Sequence, residues 1–289
     1  MSTHMATVGS GDQLDLSLAE FERIAAVAKS GWGLNLDSAK LPLIKSRLSK
    51  RLRALSLCSF SAYCDLIEAN DEAEASHFVM ALTTNVTNFY REIHHFDFLE
   101  KQIIPDLVER AKAGNRVRFW SAGCSSGQEP YSLAASILKA DVNAAKYDLK
   151  ILASDIDLGV LEKAKKGIYA HEDCSCPSKE HEARLFSGIS DQSEKRSVLE
   201  KLRPLIAFRQ LNLVDKWPFS GKFDVIMCRN VAIYFDKPTQ VRLWSRFRDS
   251  LVPQGHLFIG HSERIADPDA FGLEVAGTTT YRLNNSKTA

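Results

Sequence analysis

The residues best suited to chemistry form a short turn within residues 118–134, RFWSAGCSSGQEPYSLA. Gly123 and Gly127 enclose the small residues of this turn, between an apolar run and a helical pattern. Glycine allows a sharp bend or a close approach of a ligand to the backbone. The unpaired N–H groups at a helix N-terminus favour anionic or polar ligand groups. The segment therefore predicts a ligand-binding turn between a strand and a helix.

An acidic residue, Asp155, follows the next apolar run, in YDLKILASDID. A carboxylate after the second strand of an open α/β sheet commonly accepts hydrogen bonds from ribose hydroxyls. The combination fits two ribose-bearing cofactors, NAD and S-adenosylmethionine. The turn lacks the G-x-G-x-x-G spacing, and Asp155 comes later than the roughly 20 residues typical of NAD sites, which favours S-adenosylmethionine. Two structural alternatives stay open: a glycine turn that only lets strand and helix pack, and Asp155 as a helix cap.

These residues need a sheet edge that brings them together. From residue 115 onward, helical stretches alternate with β-rich runs: RVRFWSA, YDLKILASDID, FDVIMCRNV and GHLFIGHSE. This alternation predicts an open, mostly parallel α/β sheet with helices on both faces, on which ligands bind beyond the carboxyl ends of the strands. The tail FGLEVAGTTTYRL predicts two further strands in a hairpin. The polar, irregular residues 170–211 predict an insertion between sheet elements.

Residues 16–90 have helical spacing and predict a small helical domain. In LPLIKSRLSKRLRALSL, apolar residues at steps of three and four share one helix face. The basic residues take the remaining arc: Lys45, Arg47, Lys50, Arg51 and Arg53. Such an arc is either a solvated face, a docking face for an acidic partner or a phosphate-binding surface. Neither interleaved aromatics nor a base-reading motif accompanies it, which argues against nucleic acid.

The composition is that of a globular protein, with 289 residues, 45% hydrophobic and 25% charged. The net charge of +1 indicates no general attraction to nucleic acid or membranes. No apolar stretch approaches the roughly 20 residues of a membrane span, and the N-terminus lacks the pattern of a secretory signal. The six cysteines do not suggest a disulfide framework, so a cytoplasmic location is expected.

One cluster of possible metal ligands occurs in the insertion: His171, Cys174, Cys176 and His181. Its Cys-x-Cys spacing differs from the Cys-x2–4-Cys spacing usual in zinc sites. A surface segment with spare thiols is the simpler interpretation. We therefore expect no metal site in this protein.

Five segments, in order, resemble motifs of the CheR family, the chemoreceptor glutamate O-methyltransferases of bacterial chemotaxis. The resemblance covers residues 16–284. ALTTNVTNFYRE resembles the family's T-T-N-x-T-x-F-F-R-E motif, with Tyr90 for the second Phe. SAGCSSGQEPYSLA resembles its G-C-S-x-G-E-E-P-Y-S loop, with Gln128 for the first Glu. ASDIDLGVLEKAKKGIY, CRNVAIYFD and GHSE complete the set.

The resemblance implies a Rossmann-like class I S-adenosylmethionine-dependent methyltransferase sheet with a small β-subdomain insertion, plus an all-helical N-terminal domain. The chain then divides into a disordered lead at residues 1–14, a helical domain and linker at 15–90, and the methyltransferase domain at 91–289, with the subdomain at 170–211. The implied reaction transfers a methyl group from S-adenosylmethionine to receptor glutamates, and leaves S-adenosylhomocysteine. The implied partner is the cytoplasmic helical region of methyl-accepting chemoreceptors, docked on the basic arc. A monomer is expected, with no nucleic acid bound and no membrane insertion.

By similarity, the cofactor site is lined by residues from several segments: Asn85, Thr87, Arg91, Gly123, Glu129, Asp155, Asn212, Leu213 and Asn230. Glu129 would meet the methionine amino group, Asp155 the ribose and the pair Asn212–Leu213 the adenine. Arg91 and Tyr234 are the predicted catalytic residues. A guanidinium holds a carboxylate with a planar fork of donors, so Arg91 would orient the substrate glutamate.

Each assignment has a structural alternative. Glu129 can be a favourable acid in a first helical turn, Asn230 a turn residue, Tyr234 a core aromatic, and Arg91 an ion-pair partner near Glu92. His261 in GHSE is interpreted as a structural histidine. The subdomain loop GISDQSEKR lacks the glycine-rich loop of family members that grip a receptor peptide, so no such tether is expected. A non-catalytic cofactor-binding adaptor and an NAD-dependent oxidoreductase are the competing functions.

Overall fold

The chain divides into two compact units, between Thr83 and Thr84. The computed structural model describes residues 14–69, 71–83, 85–187 and 194–284. The predicted boundary at residue 90 lies inside the second unit, so the linker motif is part of that unit. Residues 1–13, which make up nearly all of the predicted lead, lie outside the described residues.

The first unit contains four described α-helices: α1 (Leu18–Trp32), α2 (Leu41–Ala54), α3 (Phe60–Glu68) and α4 (Glu72–Leu82). Helix α1 begins with a capping box, in which Ser17 and Glu20 each bond the other's backbone N–H. It ends at Gly33, whose φ of 68° is the left-handed conformation that glycine adopts without strain. The apolar face predicted for α2 is buried, with Leu48 and Leu52 fully enclosed. The prediction of a helical N-terminal domain is therefore confirmed.

The second unit contains helices α5–α10 and strands β1–β9. The helices are α5 (Ile93–Phe98), α6 (Ile104–Lys112), α7 (Gln128–Ala140), α8 (Leu158–Lys166), α9 (Lys179–Leu185) and α10 (Lys237–Ser250). The strands are β1 (Val117–Ala122), β2 (Leu149–Asp155), β3 (Ile168–Ala170), β4 (Lys195–Ser197), β5 (Ile206–Gln210), β6 (Phe223–Cys228), β7 (Leu251–Ile259), β8 (Leu273–Gly277) and β9 (Thr280–Leu283).

Seven of these strands form one sheet in the order β5-β2-β1-β6-β7-β9-β8. Strands β5, β2, β1, β6 and β7 pair in parallel, whereas β9 is antiparallel to both of its neighbours. The chain moves outward from β1 in one direction through β2 and β5, and in the other through β6 and β7. Ligands bind at such a reversal of strand order, beyond the carboxyl ends of the strands. The predicted open sheet and terminal hairpin are both confirmed.

The predicted insertion at 170–211 is wrong at its C-terminal end. Residues Ile206–Gln210 form β5, which pairs in parallel with β2 from Ile151 to Asp155. The inserted sheet has only β3 and β4 among the described residues, paired in antiparallel fashion with Tyr169 opposite Arg196. Most of the GISDQSEKR loop, at residues 188–193, lies outside the described residues, so the expectation of no peptide tether stays untested.

The six cysteines are all free thiols, and their environments differ sharply. Cys58, between α2 and α3, is exposed, whereas Cys176 is half-buried and the other four are buried. Burial raises the pKa of Cys64 to about 11 and that of Cys176 to about 12. Burial also raises the pKa of Cys124 and of Cys228 well above the ordinary thiol range. Among the described helices, none is long and apolar enough to cross a bilayer.

Candidate active site

The glycine turn between β1 and α7 is closely packed. Gly123 and Gly127 have φ of 79° and 98°, which glycine adopts freely. A Cβ at Gly123 would lie 2.4 Å from Cγ2 of Val231, and one at Gly127 would lie 2.8 Å from Cβ of Ala164. Packing is thus sufficient to explain why both positions are glycine. The cofactor role of Gly123 stays a prediction, supported by its place at the carboxyl end of β1.

Asp155 ends β2 with its carboxylate 8% exposed and directed at the turn. Its Oδ2 accepts from the backbone N–H of Ser125 at 2.8 Å, and its Oδ1 from that of Asp157 at 3.0 Å. Each carboxylate oxygen can accept a second hydrogen bond. Burial raises the pKa of Asp155, and these backbone donors oppose that shift. The alternative that Asp155 caps the next helix is wrong, because Asp157 accepts from Gly159 N at 2.7 Å and is the N-cap of α8.

Glu129 lies in the first turn of α7, and its role is not limited to a favourable interaction with the helix dipole. Its Oε1 accepts from the Ser121 hydroxyl at 2.6 Å, and its Oε2 accepts from Arg229 at 3.1 Å. Burial raises the pKa of Glu129, and the Arg229 charge opposes that shift. The structure therefore holds a carboxylate with only 13% of its side chain exposed beside the carboxyl end of β1. Such a group suits a cationic ligand.

Arg229 is the central residue that the sequence analysis missed. Its side chain is 2% exposed and lies between the carboxylates of Glu129 and Glu92, at 3.1 Å and 3.2 Å. It also donates to the backbone carbonyl of Arg91. The guanidinium thus connects the end of β6, the first turn of α7 and the linker. The available signal was its position inside CRNVAIYFD, directly before Asn230.

The linker before α5 carries three predicted site residues. Asn85 donates to Asp157 Oδ2 at 3.2 Å, and its carbonyl accepts from the Ser125 hydroxyl at 3.2 Å. Thr87 follows, half-buried. Within the described residues, the Arg91 guanidinium makes one bond, to the Val86 carbonyl at 2.8 Å. The proposed structural alternative, an ion pair with Glu92, belongs to Arg229 instead.

Unusual backbone conformations concentrate around this site. Tyr90, Glu92, Ser125 and Asn230 all have φ between 49° and 59°, which is uncommon for residues other than glycine. Residues held in such conformations cluster at functional sites, where the surrounding structure over-determines them. The linker, the turn and the loop after β6 are therefore held in specific, costly conformations.

The remaining predicted residues follow β5 and β6. The buried Oδ1 of Asn230 has no hydrogen-bond partner among the described residues, so it is available to accept a bond from a ligand. Tyr234 closes a short 3₁₀ turn and is half-buried, so it is not a fully enclosed core aromatic.

The two predicted adenine contacts follow β5. Asn212 accepts from Val214 N at 3.2 Å. The carbonyl of buried Leu213 accepts from Arg246 at 2.7 Å.

Possible metal ligands converge at one place in the described residues, where ligand atoms of Glu92, His94 and His95 lie within 4.8 Å of one another. Glu92 is already ion-paired with Arg229, and it also contacts Nδ1 of His261 at 2.7 Å. We assign no metal to this group. The His171–His181 set considered from the sequence is not among the converging groups of the described residues.

The basic arc predicted on α2 is divided by contacts within the first unit. Arg51 donates to Glu74, whose carboxylate is buried and also accepts from Tyr63 at 2.8 Å. Arg47 donates to the carbonyl of Thr83 at 2.9 Å. These two arginines connect α2 to α4 and its C-terminal cap, so their structural role is established independently of any docking.

Only part of the predicted arc is open to solvent. Lys50 and Arg53 are exposed, whereas Lys45 is half-buried and pairs with Asp15 at 2.9 Å. Three of the five basic residues of the arc therefore make contacts within the first unit, and the docking role of the arc stays a prediction. Docking by Lys50 and Arg53 stays a prediction.

The fold and the site together define a class. The sheet places an antiparallel β9 between two strands that run parallel to the rest. Glu129, Asp155 and Asn230 lie near the carboxyl ends of β1, β2 and β6. This is the architecture of a class I S-adenosylmethionine-dependent methyltransferase. The family profile described as "CheR methyltransferase, SAM binding domain" matches residues 85–281, and "CheR methyltransferase, all-alpha domain" matches 19–83. The chain belongs to the CheR family, and S-adenosylmethionine is its cofactor.

Relatives match over most of the chain. A "Probable chemotaxis protein methyltransferase" of Rhizobium etli is 45% identical over 86% of this chain and 94% of its own length. "Chemotaxis protein methyltransferase 2" of Pseudomonas aeruginosa is 44% identical over 86% and 87%. "Chemotaxis protein methyltransferase" of Salmonella typhimurium is 40% identical over 95% and 93%. The predicted family, fold class, cofactor and enzymatic activity are confirmed, and the chain is a chemotaxis methyltransferase.

Proposed function

We propose that this enzyme methylates the side-chain carboxylate of specific glutamates in bacterial chemoreceptors, to form methyl esters for sensory adaptation. The observation that carries the proposal is the contrast between two arginines. Arg229 is buried and neutralised by two carboxylates, whereas Arg91 bonds only a backbone carbonyl among the described residues. Arg91 therefore keeps its charge available for an acceptor carboxylate.

The chemistry needs orientation rather than a strong base. A glutamate carboxylate has a reference pKa of about 4.3 and is already ionised at neutral pH. Bound S-adenosylmethionine supplies an activated methyl group on a positively charged sulfur. The residues of the chain must align the acceptor oxygen and exclude water, which is catalysis by proximity and orientation. Arg91 presents a fork of donors to the acceptor, and the hydroxyl of Tyr234 orients it from the loop after β6.

Glu129 and Asp155 suit the two polar ends of the cofactor. Glu129 accepts one bond on each oxygen and can accept a further bond from an ammonium. Asp155 has the same spare capacity for ribose hydroxyls. The other proposed cofactor contacts are Asn85, Thr87, Arg91, Gly123, Asn212, Leu213 and Asn230.

The proposed partner is the acidic helical region of a chemoreceptor. Lys50 and Arg53, exposed on one helix, suit its carboxylates. The six free thiols are in keeping with a reducing cytoplasm, which is where we propose that the reaction occurs.

The test uses purified protein, radiolabelled S-adenosylmethionine and a chemoreceptor signalling fragment. We expect base-labile methyl esters on the fragment, and none when its acceptor glutamates are replaced by alanine. Arg91→Ala should lower kcat by well over tenfold, about 1.4 kcal/mol or more of transition-state stabilisation, with a smaller change in cofactor affinity. Tight cofactor binding without any ester would favour the non-catalytic adaptor, and label on a residue other than glutamate would refute the proposed substrate.

A further inference from the structure

Glu263, in the loop after β7, is a buried carboxylate that accepts hydrogen bonds from two loops. It is 6% exposed. Its Oε1 accepts from the backbone N–H of Val231 at 2.9 Å and of Ile233 at 3.2 Å. Its Oε2 accepts from Asn230 N at 3.0 Å and from Gly260 N at 2.5 Å. One side chain therefore satisfies four backbone donors at the carboxyl ends of β6 and β7.

These bonds add to other supports of the loop, which are two backbone bonds of its 3₁₀ turn and the Gln240 amide that donates to the Ala232 and Phe235 carbonyls. A backbone N–H that is shielded from water and has no partner costs free energy, so Glu263 stabilises the conformation in which the donors of Asn230, Val231 and Ile233 all point at it. Asn230 also has a φ of 59°, an uncommon conformation for a residue with a side chain. An anion bound by successive backbone N–H groups is a known way to stabilise such a turn. Here the chain supplies the anion itself.

The loop after β7 packs closely against the loop after β6. A Cβ at Gly260 would lie 2.6 Å from both the backbone N and Nδ2 of Asn230, so only glycine lets the two loops approach. Val231, in turn, fills the space over Gly123 in the cofactor turn. The carboxylate of Glu263 is thus connected to the cofactor turn through one short, closely packed loop.

We propose that Glu263 is a positioning residue for methyl transfer, which holds the 230–234 loop so that Asn230 and Tyr234 face the reacting groups. This inference rests on the proposed function, which assigns a cofactor contact to Asn230 and an acceptor contact to Tyr234. Glu263 itself does not touch substrate or cofactor in this proposal. It acts through the backbone of the loop.

The first test is Glu263→Gln, which keeps the shape of the side chain. An amide has one acceptor oxygen, and its NH2 group would face two N–H donors, so half of the bonds are lost. We expect kcat at saturating cofactor and receptor to fall at least about tenfold, because a displacement of about 1 Å can cost 10²-fold. Glu263→Asp keeps the charge and should lose less, which provides a second variant if Glu263→Gln folds poorly.

Asp224→Asn is the matched control. Asp224, at the start of β6, is a 4% exposed carboxylate that accepts from Arg118 N at 2.8 Å and Arg110 at 2.9 Å. It lies at the opposite end of the strand that precedes the catalytic loop. Both variants should lower the melting temperature, but only the Glu263 variant should lower kcat. Equal kcat values for the two, at equal folded fraction, would overturn the positioning role.

Two further readouts separate this inference from the proposed function. In a Tyr234→Phe background, Glu263→Gln should lower kcat less than threefold if it acts through the placement of Tyr234, and full additivity would contradict that role.

Amide hydrogen exchange needs no activity: the N–H groups of Asn230, Val231 and Ile233 should exchange faster in Glu263→Gln. Unchanged exchange would overturn the inference itself. Faster exchange in a protein that never methylates receptor would refute the proposed function and leave the loop support standing.

Discussion

Replacement of Arg229 by glutamine should convert cofactor binding into a pH-dependent process. The change removes a buried cation that lies between the carboxylates of Glu129 and Glu92, whose side chains are 13% and 9% exposed. Breaking a buried ion pair from one side costs about 3–5 kcal/mol. Proton uptake by a carboxyl relieves part of this cost, so we expect the unfolding free energy to fall by about 3 kcal/mol at neutral pH. The protein should remain folded at room temperature.

The pH dependence follows from the charges around Glu129. Burial raises the pKa of Glu129, whereas the Arg229 charge and the hydrogen bond from Ser121 oppose that shift. The nearby carboxylate of Glu92 raises this pKa as well. Without Arg229 the pKa of Glu129 rises further, so the carboxyl becomes neutral at a higher pH than in the wild type. A neutral carboxyl binds an ammonium weakly, and the loss of a charged hydrogen bond of about 1.5–3 kcal/mol corresponds to roughly ten- to hundredfold in affinity.

Stability and affinity should then move in opposite directions. A carboxyl whose pKa is higher in the folded state than in the unfolded state favours folding at low pH, and that stability is lost as the pH rises through the folded pKa. Cofactor affinity instead increases as Glu129 ionises.

The pKa of Glu92 in the wild type is shifted in the opposite direction to that of Glu129. Burial raises the pKa of Glu92, but Arg229 and His261 outweigh burial and lower it to about 2, so it stays charged across this range.

The assay is titration calorimetry with S-adenosylmethionine between pH 6 and pH 9, alongside thermal unfolding. Arg196→Gln is the control, because Arg196 is also buried, pairs with Glu182 and lies 4.5 Å from the ring centroid of Phe186, in the inserted sheet. The control should lose stability without a new pH dependence of affinity. An Arg229→Gln protein whose affinity equals that of the wild type at every pH would refute the reasoning.

Three further changes test other parts of the site. Asp155→Asn should weaken cofactor binding by at least about tenfold, because the amide replaces a charged acceptor with a neutral one. The change in kcat at saturating cofactor should be smaller. An unchanged calorimetric affinity would show that Asp155 does not bind the ribose. The double variant Lys50→Glu, Arg53→Glu should raise the KM for receptor, with a larger effect at low salt, and should leave cofactor affinity unchanged. An unchanged KM would show that the receptor docks on another surface. The Arg246 guanidinium lies 3.9 Å from the ring centroid of Trp217 and also donates to the Leu213 carbonyl. Arg246→Ala removes both contacts, so cofactor affinity should fall about fivefold, or about 1 kcal/mol. An unaltered affinity would show that this loop does not need the contact.

The sequence predicted the sheet well because its strands are strongly apolar and its helices regularly spaced. Strand β5 was missed because it is a five-residue edge strand, partly buried at its first three positions and exposed at the last two, that follows a proline-containing 3₁₀ turn. Such a segment lacks the continuous apolar run of a central parallel strand. Its place in the sheet is determined by pairing with β2, which periodicity along the chain does not reveal.

The site residues were predictable where local chemistry marks them, and not where distant contacts do. The glycine turn and Asp155 stand at strand ends with recognisable neighbours. Arg229 contacts a carboxylate 100 residues away, and Glu263 bonds a loop about 30 residues before it. The internal contacts of the basic arc were not predictable for the same reason, because the helix pattern of α2 does not reveal that Arg51 has a buried partner on α4.

The distribution of the thiols gives this chain a built-in attachment point for a reporter. Of six free cysteines, Cys58 is the one with an exposed side chain, and the buried thiols have raised pKa values that suppress the reactive thiolate. A maleimide dye at neutral pH should therefore couple at Cys58 without mutagenesis. Because Cys58 follows α2 directly, the helix with Lys50 and Arg53, the dye would report receptor docking by fluorescence anisotropy, independently of any methyl transfer.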